Sequence, residues 1–103
     1  MTDKIQATVS TRANVYFGGK CVSHGIELAD GTKKSVGVIL PATLTFNTGA
    51  PEVMELVDGE CRVKLAGSSE WTPYRGGQSF KVPGNSSFDI EVTKDVHYIC
   101  HFG

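Results

Sequence analysis

Short stretches in which apolar and polar residues alternate follow one another along the chain from residue 14 onward, and they predict β-strands. The pattern is clearest at 60–65, where Cys61, Val63 and Leu65 alternate with three charged residues. The predicted strands cover 20–28, 34–40, 43–48, 54–57, 60–65, 71–74, 79–82, 88–92 and 97–102. No window shows helical periodicity, so the predicted fold class is all-β.

Glycine- and proline-containing turns separate these strands. Asp58-Gly59 predicts a tight hairpin turn between 54–57 and 60–65. So many short strands must protect their edges, which favours a closed barrel or a two-sheet jelly roll. Residues 1–12 are polar with weak periodicity and predict a flexible or edge leader, followed by one domain over 13–103.

Size and charge exclude several classes of function. A chain of 103 residues has room for one domain, and its ten Lys and Arg against eleven Asp and Glu give a net charge of -1 without a basic run. Binding to nucleic acid or to an acidic membrane is therefore not expected. The longest apolar run is 38–40 and the start lacks an apolar signal segment, so a cytoplasmic protein is expected. A core this small also favours a homodimer.

The three cysteines are widely spaced along the chain, at Cys21, Cys61 and Cys100. They form no Cys-x-x-Cys pair, which argues against a zinc cluster or a disulfide framework. Each lies in an apolar, strand-like context, so packing in the core is the expected role.

Two segments have the residue spacing of small jelly-roll barrels of the cupin type. The first cupin motif, His-x-His, three or four residues, Glu, six residues, Gly, is matched in spacing by Thr45, Asn47, Glu52 and Gly59. The second begins with Gly, five residues and Pro, as do Gly77 and Pro83, and it places Phe88 where a histidine ligand is expected. The spacing predicts a cupin-like jelly-roll β-barrel in which the histidine ligands have been replaced.

The replacement of these histidines argues against a metal cofactor. A transition metal needs three or four converging N, O or S donors, and Glu52 with a threonine, an asparagine and a phenylalanine does not supply them. His97 and His101 are four residues apart, which in a strand separates them by ~13 Å. His24 stands alone.

Several segments together resemble the small cupin-like family of pyrimidine/purine nucleoside phosphorylases, over roughly residues 14–102. The segments are Tyr16-Phe17-x-Gly19-Lys20, Ser35-Val36-Gly37-Val38, Thr45-Phe46-x-Thr48, Pro51-Glu52-x-Met54, Gly59, Trp71, Gly77-x-x-Phe80-x-Val82-Pro83-Gly84, Phe88 and Tyr98-x-Cys100. The resemblance implies reversible, metal-independent phosphorolysis of purine and pyrimidine nucleosides to the free base and ribose 1-phosphate. It implies inorganic phosphate as co-substrate and no cofactor.

Two other functions stay open at this point. The first is a non-catalytic cupin that binds a nucleoside- or sugar-like ligand without converting it. The second is a metal-dependent cupin enzyme, against which the missing histidines argue.

Phosphorolysis assigns expected roles to particular residues. Phosphate needs hydroxyls, N–H groups and a cation, the ribose needs a group that faces positive charge at its anomeric carbon, and a base of any kind can be held by stacking. The expected catalytic residue is Glu52, and the expected substrate-binding residues are Lys20, Lys33, Ser35, Thr45, Asn47, Phe88 and Tyr98. Alternation places Ser35 with Gly37 on one strand face and Thr45 with Asn47 on one face of the next strand. In cupins the ligands at these two positions point inward, so Thr45 and Asn47 are expected to point inward as well.

Each of these residues also has a structural alternative. The hydroxyl and amide side chains of Ser35, Thr45 and Asn47 are equally suited to satisfying buried backbone groups. Glu52 follows a proline and is suited to capping a turn, while the two lysines are suited to solvation.

Overall fold

The computed structural model describes residues 4–102 and confirms an all-β, single-domain protein. Nine antiparallel strands account for most of this range, with one short 3-10 turn at Phe17–Gly19. The strands are β1 (Thr8–Val9), β2 (Asn14–Tyr16), β3 (Cys21–Glu27), β4 (Lys33–Ile39), β5 (Ala42–Asn47), β6 (Glu52–Leu65), β7 (Thr72–Arg75), β8 (Ser79–Val82) and β9 (Ser87–Phe102). No helix within residues 4–102 is long and apolar enough to cross a membrane.

The two long strands, β6 and β9, pair with each other and organise the sheet. The first half of β9 also pairs with β5 and its second half with β4, while β6 pairs with β8 near its start and with β7 beyond its midpoint. β3 pairs with β4, and β1 and β2 pair with β3. Within residues 4–102 the pairings do not join the two ends of this sheet, so they do not confirm the closed barrel.

The hairpin turn predicted at Asp58-Gly59 is wrong, because β6 continues through these residues as a bulged strand. The register with β9 shifts between Leu56 and Cys61, and Gly59 has a φ of 104°. The inward positions change accordingly from even numbers, such as Leu56, to odd numbers, such as Cys61. A bulge inserts an extra residue and produces this change of face within one strand.

The two strands predicted at 88–92 and 97–102 are also one strand, β9. Its even-numbered side chains are buried from 88 to 92 and again from 96 to 100, on both sides of the polar residues 93–95. The Thr93 hydroxyl donates a hydrogen bond to the Glu60 carbonyl oxygen (3.2 Å), which attaches this stretch to β6 at the bulge. The polar interruption therefore lies within one continuous strand and does not mark the end of a strand.

The β6–β9 ribbon folds back on itself across the core. Phe80 of β8 lies opposite Met54, and Phe88 of β9 lies opposite Leu65, eleven residues further along β6. A straight strand of that length would separate them by ~37 Å. Yet the Phe80 and Phe88 rings lie 5.6 Å apart, edge to face. The bulge at Gly59 lies between the two halves that meet in this way.

All three cysteines are buried and free, as predicted. Burial raises the pKa of the Cys61 thiol to about 11, so this thiol stays neutral in the folded protein. In the predicted leader, β1 pairs with Ile26 and Glu27 at an edge of the sheet, whereas residues 1–3 lie outside the described residues.

Candidate active site

A cavity of about 170 Å³ with a mixed polar and aromatic lining lies on the inner face of the sheet. Its polar side chains come from five strands and are Ser23, Ser35, Asn47, Glu52 and Tyr98. Its aromatic walls are Tyr16, Phe46, Phe88 and Phe102. The fold-back of the long ribbon creates this cavity, because it brings the start of β6, with Glu52, close to the start of β9, with Phe88.

Of the eight residues predicted to form the site, five line this cavity. They are Ser35, Asn47, Glu52, Phe88 and Tyr98. Alternation along β4 and β9 places Ser35 and Tyr98 on the inner face, and the cupin spacing places the other three around the loop ends.

Thr45 is not among the lining residues, and its predicted inward orientation is wrong. Its hydroxyl donates a hydrogen bond to Asp89 Oδ1 (2.7 Å) on the exposed side of the β5–β9 pair. Leu44 and Phe46 occupy the inward positions of β5 instead. The alternation of these two apolar residues with Thr43 and Thr45 was the sequence signal for this orientation.

The two predicted cations also lie outside the cavity. Lys20 follows the Phe17–Gly19 turn and is exposed, and Lys33 begins β4 opposite Glu27, also exposed. Among the residues that the structure describes, no lysine or arginine lines the cavity.

Glu52 lies in a partly buried position at the start of β6, between Phe102 of β9 and Val82 of β8. Burial raises the pKa of its carboxyl above the ordinary value, and the neighbouring Cys100 thiol offsets part of that rise. Burial raises the pKa of Cys100 itself to about 12, so the thiol stays protonated. Glu52 is therefore a carboxyl group in weakly solvated surroundings, where its charge acts strongly on a bound ligand.

Tyr98, at the floor of the cavity, occupies space that is available because Gly37 has no side chain. A Cβ atom at this position would lie 2.8 Å from the Tyr98 hydroxyl and 2.9 Å from Ser23 Cβ. The Tyr98 hydroxyl also lies 3.6 Å from Cys21 Sγ. The space beside Gly37 is therefore filled by the Tyr98 phenol, whereas Ser35 lines the cavity.

Thr48, which sequence reasoning did not assign to the site, fixes the loop between Asn47 and Glu52. Its buried hydroxyl donates to the Pro83 carbonyl oxygen (2.7 Å) and accepts from the Ser86 N–H (3.0 Å). The backbone N–H of Thr48 donates to the Ser86 carbonyl oxygen (2.9 Å). These bonds tie two loops together and hold both site residues in place.

A larger groove of about 590 Å³ lies on the opposite face of β3, β4 and β9. Its walls are mainly aliphatic, with residues such as Val22, Val36 and Ile99, and residues 4–9 contribute one side. Among the described residues its polar lining consists of Lys4, His24, His97 and the Tyr98 phenol, without a carboxylate, side-chain amide or aliphatic hydroxyl. Because phosphorolysis needs such polar groups, we take the smaller cavity as the candidate active site.

Within residues 4–102, no group of three His, Cys, Asp or Glu side chains is placed to hold a metal ion. Glu52 and Cys100 are the two such residues in the cavity.

Comparison with known proteins identifies the family. The model of the family described as pyrimidine/purine nucleoside phosphorylase matches residues 11–102. The chain belongs to this family. A protein of that name from Leptothrix cholodnii is 73% identical over 104 residues, which span all of both chains. Another from Aromatoleum aromaticum is 72% identical over 105 residues, covering 100% of this chain and 98% of the relative.

Solved structures place the family's fold among cupin-like proteins. A protein of unknown function from Acinetobacter sp. ADP1 is 55% identical, with a TM-score of 0.92 over 94% of both chains. Oxalate decarboxylase from Bacillus subtilis is only 12% identical, but it shares the fold with a TM-score of 0.65 over 81% of this chain and 26% of its own.

Proposed function

We propose that this protein catalyses reversible, metal-independent phosphorolysis of purine and pyrimidine nucleosides. The observation that carries the proposal is the grouping of Glu52, Asn47 and Ser35 with aromatic side chains in one cavity, in a chain that belongs to a nucleoside phosphorylase family. Relatives at 65–73% identity carry the phosphorylase name, and nothing in the cavity favours the non-catalytic alternative.

In the proposed reaction, a phosphate oxygen forms a bond to the anomeric carbon of the ribose while the bond from that carbon to the base nitrogen breaks. The electron pair of the broken bond leaves with the base, which is released after it takes up a proton. Positive charge develops at the anomeric carbon, and the Glu52 carboxylate is the group in the cavity that can stabilise it. Ser35 and Asn47 are the proposed donors to phosphate or ribose oxygens.

The proposed site needs no metal ion, since the charge at the anomeric carbon is stabilised by a carboxylate and the phosphate is bound by donors. Lys20 and Lys33 stay predictions as phosphate-binding cations. Phe88 is a proposed wall against the sugar, because it is 3% exposed and stacks on Phe46 at 5.5 Å. Tyr98, 8% exposed, has the same kind of role at the floor.

Purified protein incubated with inosine or uridine is expected to release free base only when phosphate is present. The released base and ribose 1-phosphate should appear in equal amounts, as measured by chromatography. EDTA should leave the rate unchanged, since no step uses a metal. Absence of base release from several nucleosides would reject the proposal, and loss of activity with EDTA that a metal restores would reject its metal-independent form.

We also propose a jelly-roll barrel as the finer architecture, a cytoplasmic location and a homodimer. The small size of the chain supports the dimer, because a domain of ~100 residues buries a limited part of its surface on its own. Light scattering of the purified protein should give twice the 11.1 kDa chain mass. A monomeric mass at micromolar concentration would contradict the proposed homodimer.

A further inference from the structure

Three aromatic side chains form a rim at the opening of the candidate active site. Tyr16 and Phe46 line the cavity, and Phe17 packs edge-on against Phe46 with ring centroids 5.3 Å apart. The Tyr16 ring lies 6.5 Å from the Phe46 ring, also edge to face. Tyr16 and Phe17 are 45% and 48% exposed, as is Phe102 (49%) on a separate wall of the cavity, whereas the deeper wall residue Phe88 is 3% exposed. Tyr16, Phe17 and Phe46 together make up the aromatic rim of the cavity.

The cavity is too small for a whole nucleoside together with phosphate. Its volume of about 170 Å³ lies below the ~300–1,000 Å³ of pockets that enclose ligands of that size. Its polar groups, Ser35, Asn47 and Glu52, suit the oxygens of a sugar and a phosphate. If those parts occupy the cavity, the base must project through its opening, where Tyr16 and Phe46 lie.

The backbone holds Phe17 in an unusual conformation at this rim. Its φ is 52°, in the left-handed region that bulky residues rarely adopt. Gly18 and Gly19 follow with φ values of 65° and 101°, and the Lys20 N–H closes the turn on the Phe17 carbonyl oxygen at 3.3 Å. This turn costs conformational energy and leaves half of a large apolar ring in water, an arrangement found at ligand-binding positions.

We infer that the aromatic rim is the nucleobase-binding platform, with Tyr16 and Phe17 as residues that determine affinity for the base. This inference rests on the proposed function. Stacking on exposed rings requires a π-face, which every base has, and it does not read hydrogen-bonding groups at the base edge. The rim thereby gives a physical reason why purine and pyrimidine nucleosides would both be accepted. Phe88 and Tyr98, the stacking residues expected from the sequence, lie below it against the sugar.

The test compares Phe17→Ala and Tyr16→Ala with Val15→Ala, a matched truncation in the same segment. Val15 is 62% exposed, lies on the other face of β2 from Tyr16 and is absent from the cavity lining. Each rim variant should raise the KM for inosine and uridine by about 5- to 150-fold, because base stacking is worth ~1–3 kcal/mol. The KM for phosphate, the kcat and the melting temperature should stay close to wild type. Phe17→Tyr should restore the nucleoside KM, and Val15→Ala should leave it unchanged.

Unchanged nucleoside KM values in both rim variants would overturn the inference. A parallel fall in kcat and melting temperature that Phe17→Tyr does not restore would also overturn the inference. A change in oligomeric state, measured by light scattering, would overturn it too, because the rim would then be a contact between two copies of the chain. If wild type releases no base, the proposed function fails and calorimetric titration with inosine replaces kinetics. Binding that Phe17→Ala abolishes would then support the rim, and absence of binding to wild type would reject it.

Discussion

Replacement of Glu52 by glutamine is expected to lower kcat/KM for nucleoside phosphorolysis by about 10²–10³-fold, the loss typical of removing one group that stabilises developing charge. The amide keeps the shape and hydrogen-bonding capacity of the side chain but cannot carry the negative charge that faces the anomeric carbon. Steady-state rates with inosine and with uridine measure the effect. The loss should be similar for both, since Glu52 acts on the sugar and not on the base.

The same variant should be at least as stable as wild type at neutral pH. Burial raises the pKa of Glu52 in the folded protein above its value in the unfolded chain, so the folded state binds the proton more tightly. This tighter proton binding stabilises the folded state. The stabilisation is fully present below the pKa that Glu52 has in the unfolded chain, and it is lost as the pH rises through the raised pKa of Glu52 in the folded protein. At neutral pH the ionised carboxylate therefore opposes folding, and Glu52→Gln removes that cost.

Catalysis has the opposite pH dependence, because it uses the ionised form. The kcat/KM of wild type should fall as the pH is lowered through the raised pKa of Glu52, and this acid limb should be absent from the residual activity of Glu52→Gln. Glu55→Gln is the matched control, because Glu55 lies on the other face of the same strand and binds His101 Nε2 at 2.9 Å. Wild-type activity in a folded Glu52→Gln protein, or equal losses in both variants, would remove the carboxylate from the mechanism.

The sequence predicted individual strands well where the pattern is local. Alternation places β3, β4 and β5 within one or two residues of their observed ends. The error at Asp58-Gly59 has a physical cause: the same two residues suit a hairpin turn and a bulge, and only pairing with β9, more than thirty residues further along the chain, selects the bulge. That choice depends on long-range contacts, which no local window contains.

The candidate site was predictable to the extent that strand alternation or motif spacing controls it. Ser35 and Tyr98 follow from alternation, and Asn47 and Glu52 from the spacing on either side of a short loop. The prediction that Thr45 points inward was wrong, because it followed the cupin motif spacing and not the alternation of apolar residues within the strand. The exposed position of Phe17 depends on a left-handed backbone conformation that the two following glycines permit but do not specify.

The largest loss of stability is expected from Gly59→Ala. A Cβ atom there would contact the Asp95 carbonyl oxygen and would lie 2.7 Å from Val96 Cα, and these are backbone atoms of β9 that cannot move aside independently. The φ of 104° adds strain for any residue with a side chain. Together the clash and the strain should cost about 3–5 kcal/mol. For a domain of this size the melting temperature should then fall by at least ~12 °C.

The effect should extend to function, because the Gly59 bulge lies where the long ribbon folds back and brings Glu52 and Phe88 to one cavity. Gly49→Ala is the control: a Cβ atom at Gly49 meets nothing within 4 Å, and its φ lies outside the left-handed region. Its melting temperature, followed by circular dichroism, should stay near that of wild type. If Gly59→Ala melts within about 2 °C of wild type, less than the ~4 °C expected for 1 kcal/mol, then the ribbon tolerates a side chain at the bulge. The fold-back that assembles the site would then have to depend on other residues of the two long strands.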